Sequence, residues 1–230
     1  MPTYVVRVWV PDRPGALGHV AARIGAVRGE IVGIDILERG AGRAIDEVAV
    51  ELPDPSLVDL MVEEIRAVEG VDVEEIRPVD GDVHDPRSDA LETAAILVGA
   101  TDAAEVLEAI VTHGRRLVGG SWAAVLHLDG AGLLAVDGAA PPSEWLVAFV
   151  NGSRSSVDAG TTEHGPEDVV WAPLPAAALA LVAGRHTGRF RARERRQVAA
   201  LARIGDTRMV EARRWAHPAS SGRHGHVDVP

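Results

Sequence analysis

The stretch Asp12-Arg13-Pro14-Gly15-Ala16-Leu17-Gly18 has the residue types and spacing that best suit ligand chemistry in this 230-residue chain. It lies between an apolar run, Tyr4-Val5-Val6-Arg7-Val8-Trp9-Val10, and a segment of helical periodicity from Ala16 to Val27. Pro14 has no N–H for a sheet ladder and Gly15 accepts backbone angles that other residues avoid, so together they force a tight strand-to-helix turn. The first N–H groups of the helix have no partner within it and point back into the turn, which makes a seat for a carboxylate or phosphate. The alternative is a corner that holds nothing.

A second cluster is basic: Arg185, Arg189, Arg191, Arg193, Arg195, Arg196, Arg203, Arg208, Arg213 and Arg214. It suits phosphate groups, or else a helix face that pairs with acids such as Glu63, Glu64, Glu74 and Glu75. Only Phe190 and Trp215 are aromatic there, too few for a base-stacking platform, and the net charge of −11 repels polyanions, so nucleic acid is not an expected partner. The chain has no cysteine and its 23 basic residues are all arginine, which excludes disulfides, thiolate chemistry and Lys-dependent phosphate loops or Schiff bases. No serine stands in a Gly-x-Ser-x-Gly turn, and Glu163-His164 falls in a loop with no nucleophile to activate. His224-x-His226 lies in a Gly-, Ser- and Pro-bearing tail. No catalytic residue, metal or cofactor is therefore expected. Trp122, Trp145 and Trp171 read as core.

The elements around the turn follow from periodicity. Residues 4–10 form a strand buried on both faces, with Arg7 alone leaning outward. Leu17, Val20, Ala21, Ile24 and Val27 make the apolar stripe of a helix ended by Gly29. Glu30 to Arg39 and Ala44 to Leu52 alternate as strands about a Gly40-Ala41-Gly42 turn. Asp54 and Pro55 start a second helix with the stripe Leu57, Leu60, Met61, Ile65 and Val68, and Val71 to Val79 is a last strand. Strand, helix, strand, strand, helix, strand is the split βαβ order of a ferredoxin-like α+β domain, with both helices on one face of an antiparallel sheet.

Residues 80–89 are Asp-rich with Pro86 and Gly81, the composition of a linker. Ser88 or Asp89 is a cap for a helix through Leu91, Ala94, Ala95 and Val98, and Thr101 or Asp102 for another over Ala103 to Leu117. Strands over 121–128 and 133–136 flank an Asp129-Gly130 turn; 144–150 is open between helix and strand, and 151–168 reads as loop. Strands follow at 169–173 and 177–183, then a helix from Ala192 to Arg214. The domain division is 1–79, a linker 80–89, a second domain 90–215 and a tail 216–230.

The order of the first six elements, with Asp12-x-Pro14-Gly15-x-Leu17-Gly18 after the first strand, resembles the ACT domain, a regulatory module that binds amino acids. The second half resembles a GAF domain, through its opening helices and hairpin, the run Ala172-Pro173-Leu174-Pro175 before a strand ending at Gly184-Arg185, and Phe190-x-x-x-Glu194-Arg195 at the start of the last helix. The first resemblance implies an amino acid held by Asp12, Arg13, Pro14, Gly15, Ala16 and Leu17, with Ile31, Val32 and Gly33 of a partner subunit completing the pocket. Hydrogen bonds to charged groups contribute ~1.5–3 kcal/mol each, so two or three from one subunit give millimolar to micromolar binding at best and useful affinity needs the dimer. The second resemblance implies a central antiparallel sheet flanked by helices, with a sensing or partner-binding role. The expectation is a non-enzymatic, cytoplasmic homodimeric regulator; the alternative is a ligand-free interaction module that recruits a protein. No apolar run is long enough for a membrane span, so no membrane association is expected.

Overall fold

Val6, Val8 and Val10 alternate inward along β1 (Thr3–Pro11) and are buried beneath Val20 and Ile24 of α1 (Ala16–Ala26) and Met61 and Ile65 of α2 (Val58–Arg66). Side chains of this size contribute about 1.5–3 kcal/mol each on burial, so the helix-covered face holds the unit together. The sheet is completed by β2 (Glu30–Gly40), β3 (Arg43–Glu51) and β4 (Asp72–Val79) in the order β2-β3-β1-β4, every pair antiparallel. This is the ferredoxin-like arrangement the periodicity predicts. Asp54 accepts the Ser56 N–H at 2.8 Å and caps a short 3-10 turn, Pro55–Leu57, that leads into α2. The chain leaves α1 through Arg28 in the left-handed region (φ 62°), one residue before the glycine expected to end it.

The computed structural model describes residues 1–79, 86–129, 132–158 and 166–216. Beyond the first unit lie α3 (Pro86–Gly99), α4 (Ala103–Leu117), β5 (Trp122–His127), β6 (Leu133–Gly138), α5 (Ser143–Asp158), β7 (Val169–Leu174), β8 (Leu179–Gly184) and α6 (Ala192–Ala216). The second antiparallel sheet runs β6-β5-β8-β7. One of its faces packs Val125 and Leu181 with Ile110 of α4, Leu97 of α3 and Val198 of α6, and the other packs Ala124 and Val182 with Leu146 and Val150 of α5. The sheet is thus central and flanked by helices on both sides. Among the described residues no helix is long and apolar enough to cross a membrane.

Three expectations need correction. α3 begins at Pro86, inside the stretch read as linker, so Ser88 and Asp89 lie within its first turn rather than before it. Residues 151–158 are helical, not loop: α5 continues through Asn151-Gly152-Ser153-Arg154 because Leu146 and Val150 anchor its inner face. Arg7 does not lean into solvent. It leaves the helix-covered face, yet only 2% of it is exposed, because the second domain covers the opposite face of the first sheet.

Candidate functional site

Strand register builds a charged row across that opposite face. Asp35 of β2 stands against Glu47 of β3, Glu47 against Arg7 of β1, and Arg7 against Glu75 of β4. A shift in the β1–β4 register follows at Arg7/Val8 and frees Glu74 from the ladder, as bulges do when they re-aim a side chain. Glu74 accepts from Trp9 Nε1 at 2.8 Å and from Arg191 at 2.6 Å. Three acids and one arginine in a row leave this face acidic, and the second domain meets it with arginines.

The hub of the contact is Glu194 in the first turn of α6. Its Oε2 accepts the Arg191 N–H at 2.6 Å, the reciprocal bond of a capping box that fixes the helix start. Its Oε1 accepts from Arg7 at 3.3 Å and from Arg185. Arg7 also donates to Glu47 at 2.7 Å and to the Arg189 carbonyl at 2.9 Å. Burial works against the Arg7 charge, but Glu47, Glu194 and Glu75 outweigh it and hold the guanidinium pKa above its usual value. Around this centre Arg193 pairs with Asp35, and the Thr187 hydroxyl donates to Glu75 at 3.1 Å. Two arginines of the cluster, Arg191 and Arg193, therefore pair directly with the first domain, and Arg185 shares Glu194 with Arg7. Of the acids named for that pairing only Glu74 meets an arginine of the cluster; Glu75 takes the Thr187 hydroxyl instead, and Glu64 pairs with Arg23 in its own domain, at 2.9 Å. Arg195, Arg196, Arg203 and Arg214 are exposed.

Beside the clamp lies an interdomain cavity of about 590 Å³. Its floor is the next row of the sheet, Gly33, Ala49, Val5 and Arg77, where two small neighbours leave the surface low. Its roof is the end of α4 and the following turn (Arg116 to Gly119), with Gln197 of α6. Val32 and Gly33, expected to face an amino acid, line this cavity.

The turn at 12–17 lies elsewhere. Pro11 is opposite Arg43 at one end of β1, whereas Ile31 and Gly33 are in register with Val50 and Ala49, hence with Tyr4 and Val5 near the other end. At ~3.3 Å per residue the turn and Ile31–Gly33 are roughly 20 Å apart, and one copy of the chain does not bring them together. The turn itself is open: Asp12, Arg13, Pro14 and Gly15 are exposed, Leu17 is half-buried and Ala16 is buried. Gly15 is the N-cap of α1 at φ 86°, and no side chain caps the helix. The Asp12 N–H donates to Gly42 O at 2.9 Å, which ties the turn to the β2–β3 hairpin.

Sequence reasoning missed Asp46. This β3 carboxylate is 3% exposed, and its Oδ1 has no hydrogen-bond partner. Burial raises its pKa; Arg39 opposes the shift and Asp12 adds to it, so Asp46 and the turn share one electrostatic environment. A carboxyl whose folded pKa is raised favours the folded state when protonated. Stability is thus lost as pH rises from the ordinary value of 3.8 through the raised value. Asp46→Asn is expected to stabilise the protein at pH 7 by about 1 kcal/mol, with the gain vanishing at acid pH, in thermal unfolding measured across pH 3–8. The only sequence signal was an acid at an inward strand position.

Trp122 is buried and Trp171 partly buried in the second domain, as expected of core residues, but Trp145 is 39% exposed and stacks on Phe149 at 5.3 Å. Among the described residues no group of His, Asp and Glu is placed to hold a metal; His224, His226, Glu163 and His164 lie outside them.

The fold and these two sites define first a class: a ferredoxin-like α+β domain with an open helix-terminus turn, its bare sheet face clamped by a second sheet-and-helix domain. The family of the first domain follows from comparison, since the ACT domain family model matches residues 4–70 and identifies the N-terminal unit as an ACT domain. Among solved structures, the chain is similar to the ACT domain from the GTP pyrophosphokinase of Chlorobium tepidum (14% identity, 34% of this chain, 100% of that one, TM-score 0.28). It is similar also to the C-terminal domain of the MgtC protein from Mycobacterium tuberculosis (17% identity, 37% and 93%, TM-score 0.29). A third is a formyltetrahydrofolate deformylase from Pseudomonas putida KT2440 (16% identity, 42% and 38%, TM-score 0.26), so the match spans well under half of that enzyme. A comparison with curated proteins gives no match.

Proposed function

We propose that this protein is a non-enzymatic regulator whose ACT domain binds a small amino acid and whose second, GAF-like domain passes on the bound state. The observation that carries the reading is the exposed, uncapped N-terminus of α1 behind left-handed Gly15. The helix N–H groups suit the ligand carboxylate, and Asp12 suits its ammonium group. A second copy completes the pocket: β2 is an edge strand, and antiparallel pairing of two β2 edges brings Ile31, Val32 and Gly33 of one copy toward the turn end of the other. The half-exposed Val32, Ile34 and Ile36 supply apolar area for that contact. For the bound state to act as a signal, the amino acid must bind one domain or subunit arrangement more tightly than the other.

A thermal-shift screen of the full chain with the twenty amino acids tests this, since a ligand at a hundred times its dissociation constant adds ~2.7 kcal/mol. Gly15→Trp is expected to abolish the response at a cost of about 1–2 kcal/mol for the left-handed backbone. An unchanged response in that variant refutes the site. The same apolar edge of β2 favours a second reading, a ligand-free module that recruits a protein, and no response to any amino acid would favour it.

A further inference from the structure

We infer that the cavity between the domains is a second binding site, for a small carboxylate with a compact aliphatic body. The site goes beyond the amino-acid pocket at the turn and does not depend on it. Three observations set its chemistry. The first is the balance of committed charge along the walls. Asp35, Glu47, Glu75 and Glu194 each already accept a bond from Arg193, Arg7, Thr187 or Arg185. On the basic side, Arg116 has no ion-pair or hydrogen-bond partner among the described residues. Arg77 has only a 3.9 Å approach to Glu47, whose Oε1 Arg7 already holds at 2.7 Å. The wall holds five arginines and five acids, so its charge balances. What is left over is donors, since among the described residues Arg77 and Arg116 are the guanidiniums of the wall without a close acceptor, and a guanidinium is matched by a carboxylate in a planar, two-point contact.

The second observation is an orphan donor. Arg185, itself 8% exposed and part of the same wall, keeps a buried Nε with no acceptor. The third is shape. Gly33, Ala49 and Val5 make an apolar floor, Leu117 and Val118 an apolar roof, and the volume of about 590 Å³ falls within the range of small-molecule sites. An aliphatic chain fits between floor and roof, with its carboxylate at Arg77 and Arg116.

The two arginines belong to different domains, Arg77 to β4 and Arg116 to the last turn of α4. A carboxylate held by both is a tie across the interface, so its binding reports on, and biases, the relative placement of the ACT domain and its partner domain. The clamp at Glu194 holds the domains close enough for the tie to form, and the cavity sits beside it.

The test is a titration of the full chain with hexanoate, which lacks the ammonium group the turn requires, followed by calorimetry and thermal shift. Hexanoate is expected to raise the melting temperature, and hexylamine, of opposite charge, is expected not to. Arg77→Ala with Arg116→Ala, both on solvent-reachable side chains, is expected to weaken hexanoate about tenfold or more while leaving unliganded stability nearly unchanged. Ala49→Leu, which fills the floor, is expected to weaken it without touching a charge. Gly15→Trp is expected to leave hexanoate binding intact, which separates this site from the one at the turn. No shift with hexanoate, an equal shift with hexylamine, or full binding in the double arginine variant overturns the inference. Loss in Gly15→Trp together with retention in the arginine variant assigns hexanoate to the turn and overturns it equally.

Discussion

Glu194→Ala lowers the unfolding free energy by about 3–5 kcal/mol, the usual cost of removing one partner of a buried ion pair. The reason is what it strands. Arg7 is 2% and Arg185 8% exposed, and both donate to the same Glu194 oxygen. Arg7 retains Glu47 and the Arg189 carbonyl, but Arg185 keeps only the Val118 carbonyl at 2.6 Å, with Phe190 stacked under its guanidinium at 3.9 Å. The loss also removes the bond to the Arg191 N–H and so frees the first turn of α6. Urea unfolding of wild type, Glu194→Ala and Glu194→Gln measures it. Glu194→Gln keeps one acceptor oxygen, replaces the other with an NH2 donor and removes the charge, so a loss smaller than that of the alanine variant isolates the bonds that the remaining oxygen still accepts. A loss below about 1 kcal/mol in Glu194→Ala would mean that water reaches the cluster and the pair behaves like an exposed one.

The effect extends beyond stability. Glu194 joins residues far apart in sequence, and with it the ACT domain and α6 share one ionic centre. Weakening the clamp is expected to let the domains separate, so the same variant should lower the affinity of any ligand held between them. The regulator proposed above would use such an element: tight enough to define one arrangement, yet polar enough to be remade in another. An apolar interface of the same area would give more stability and less reversibility.

Local rules made the first domain legible. Asp54 caps the turn before α2 as its position demands, the apolar stripe of α1 faces the sheet, and the hairpin around Ala41 turns where glycines flank it. Arg7 was misread because its partners are distant: nothing between residues 4 and 10 reveals that a carboxylate 187 positions later will cover it. The same holds for the cavity. Gly33 and Ala49 are unremarkable small residues until strand register places them side by side on a floor. α5 was hidden by a different cause, because Asn151, Gly152 and Ser153 are poor helix formers whose cost tertiary packing overrides. Arg154 also anchors that last stretch, donating to the Leu128 carbonyl at 2.9 Å. In the proposed reading the turn at 12–17 is completed by a second copy, and a single chain shows only its exposed half.

Gly138→Ala is the other substitution with a large expected effect, and it links the second sheet to the cavity. Gly138 ends β6 at φ 83°, where an L side chain is strained, and a Cβ there would lie 2.2 Å from the Ser121 carbonyl oxygen. That oxygen is backbone and cannot rotate aside. The left-handed conformation costs about 1–2 kcal/mol and overpacking about 1–3, so a loss of roughly 2–5 kcal/mol is expected in urea unfolding. Relief requires β6 to draw away from Ser121 and Trp122, whose partners are fixed: the Ser121 N–H donates to Gly184 O at 2.8 Å, and Trp122 is buried against α5. Ser121 is also on the cavity wall, and its hydroxyl accepts the His186 N–H at 3.2 Å. The displacement is therefore transmitted to the Gly119–Ser121 turn beside Arg116. Gly138→Ala should weaken hexanoate binding although residue 138 touches neither arginine. Stability lost with hexanoate affinity retained would show that the 119–121 turn is positioned by α4 alone.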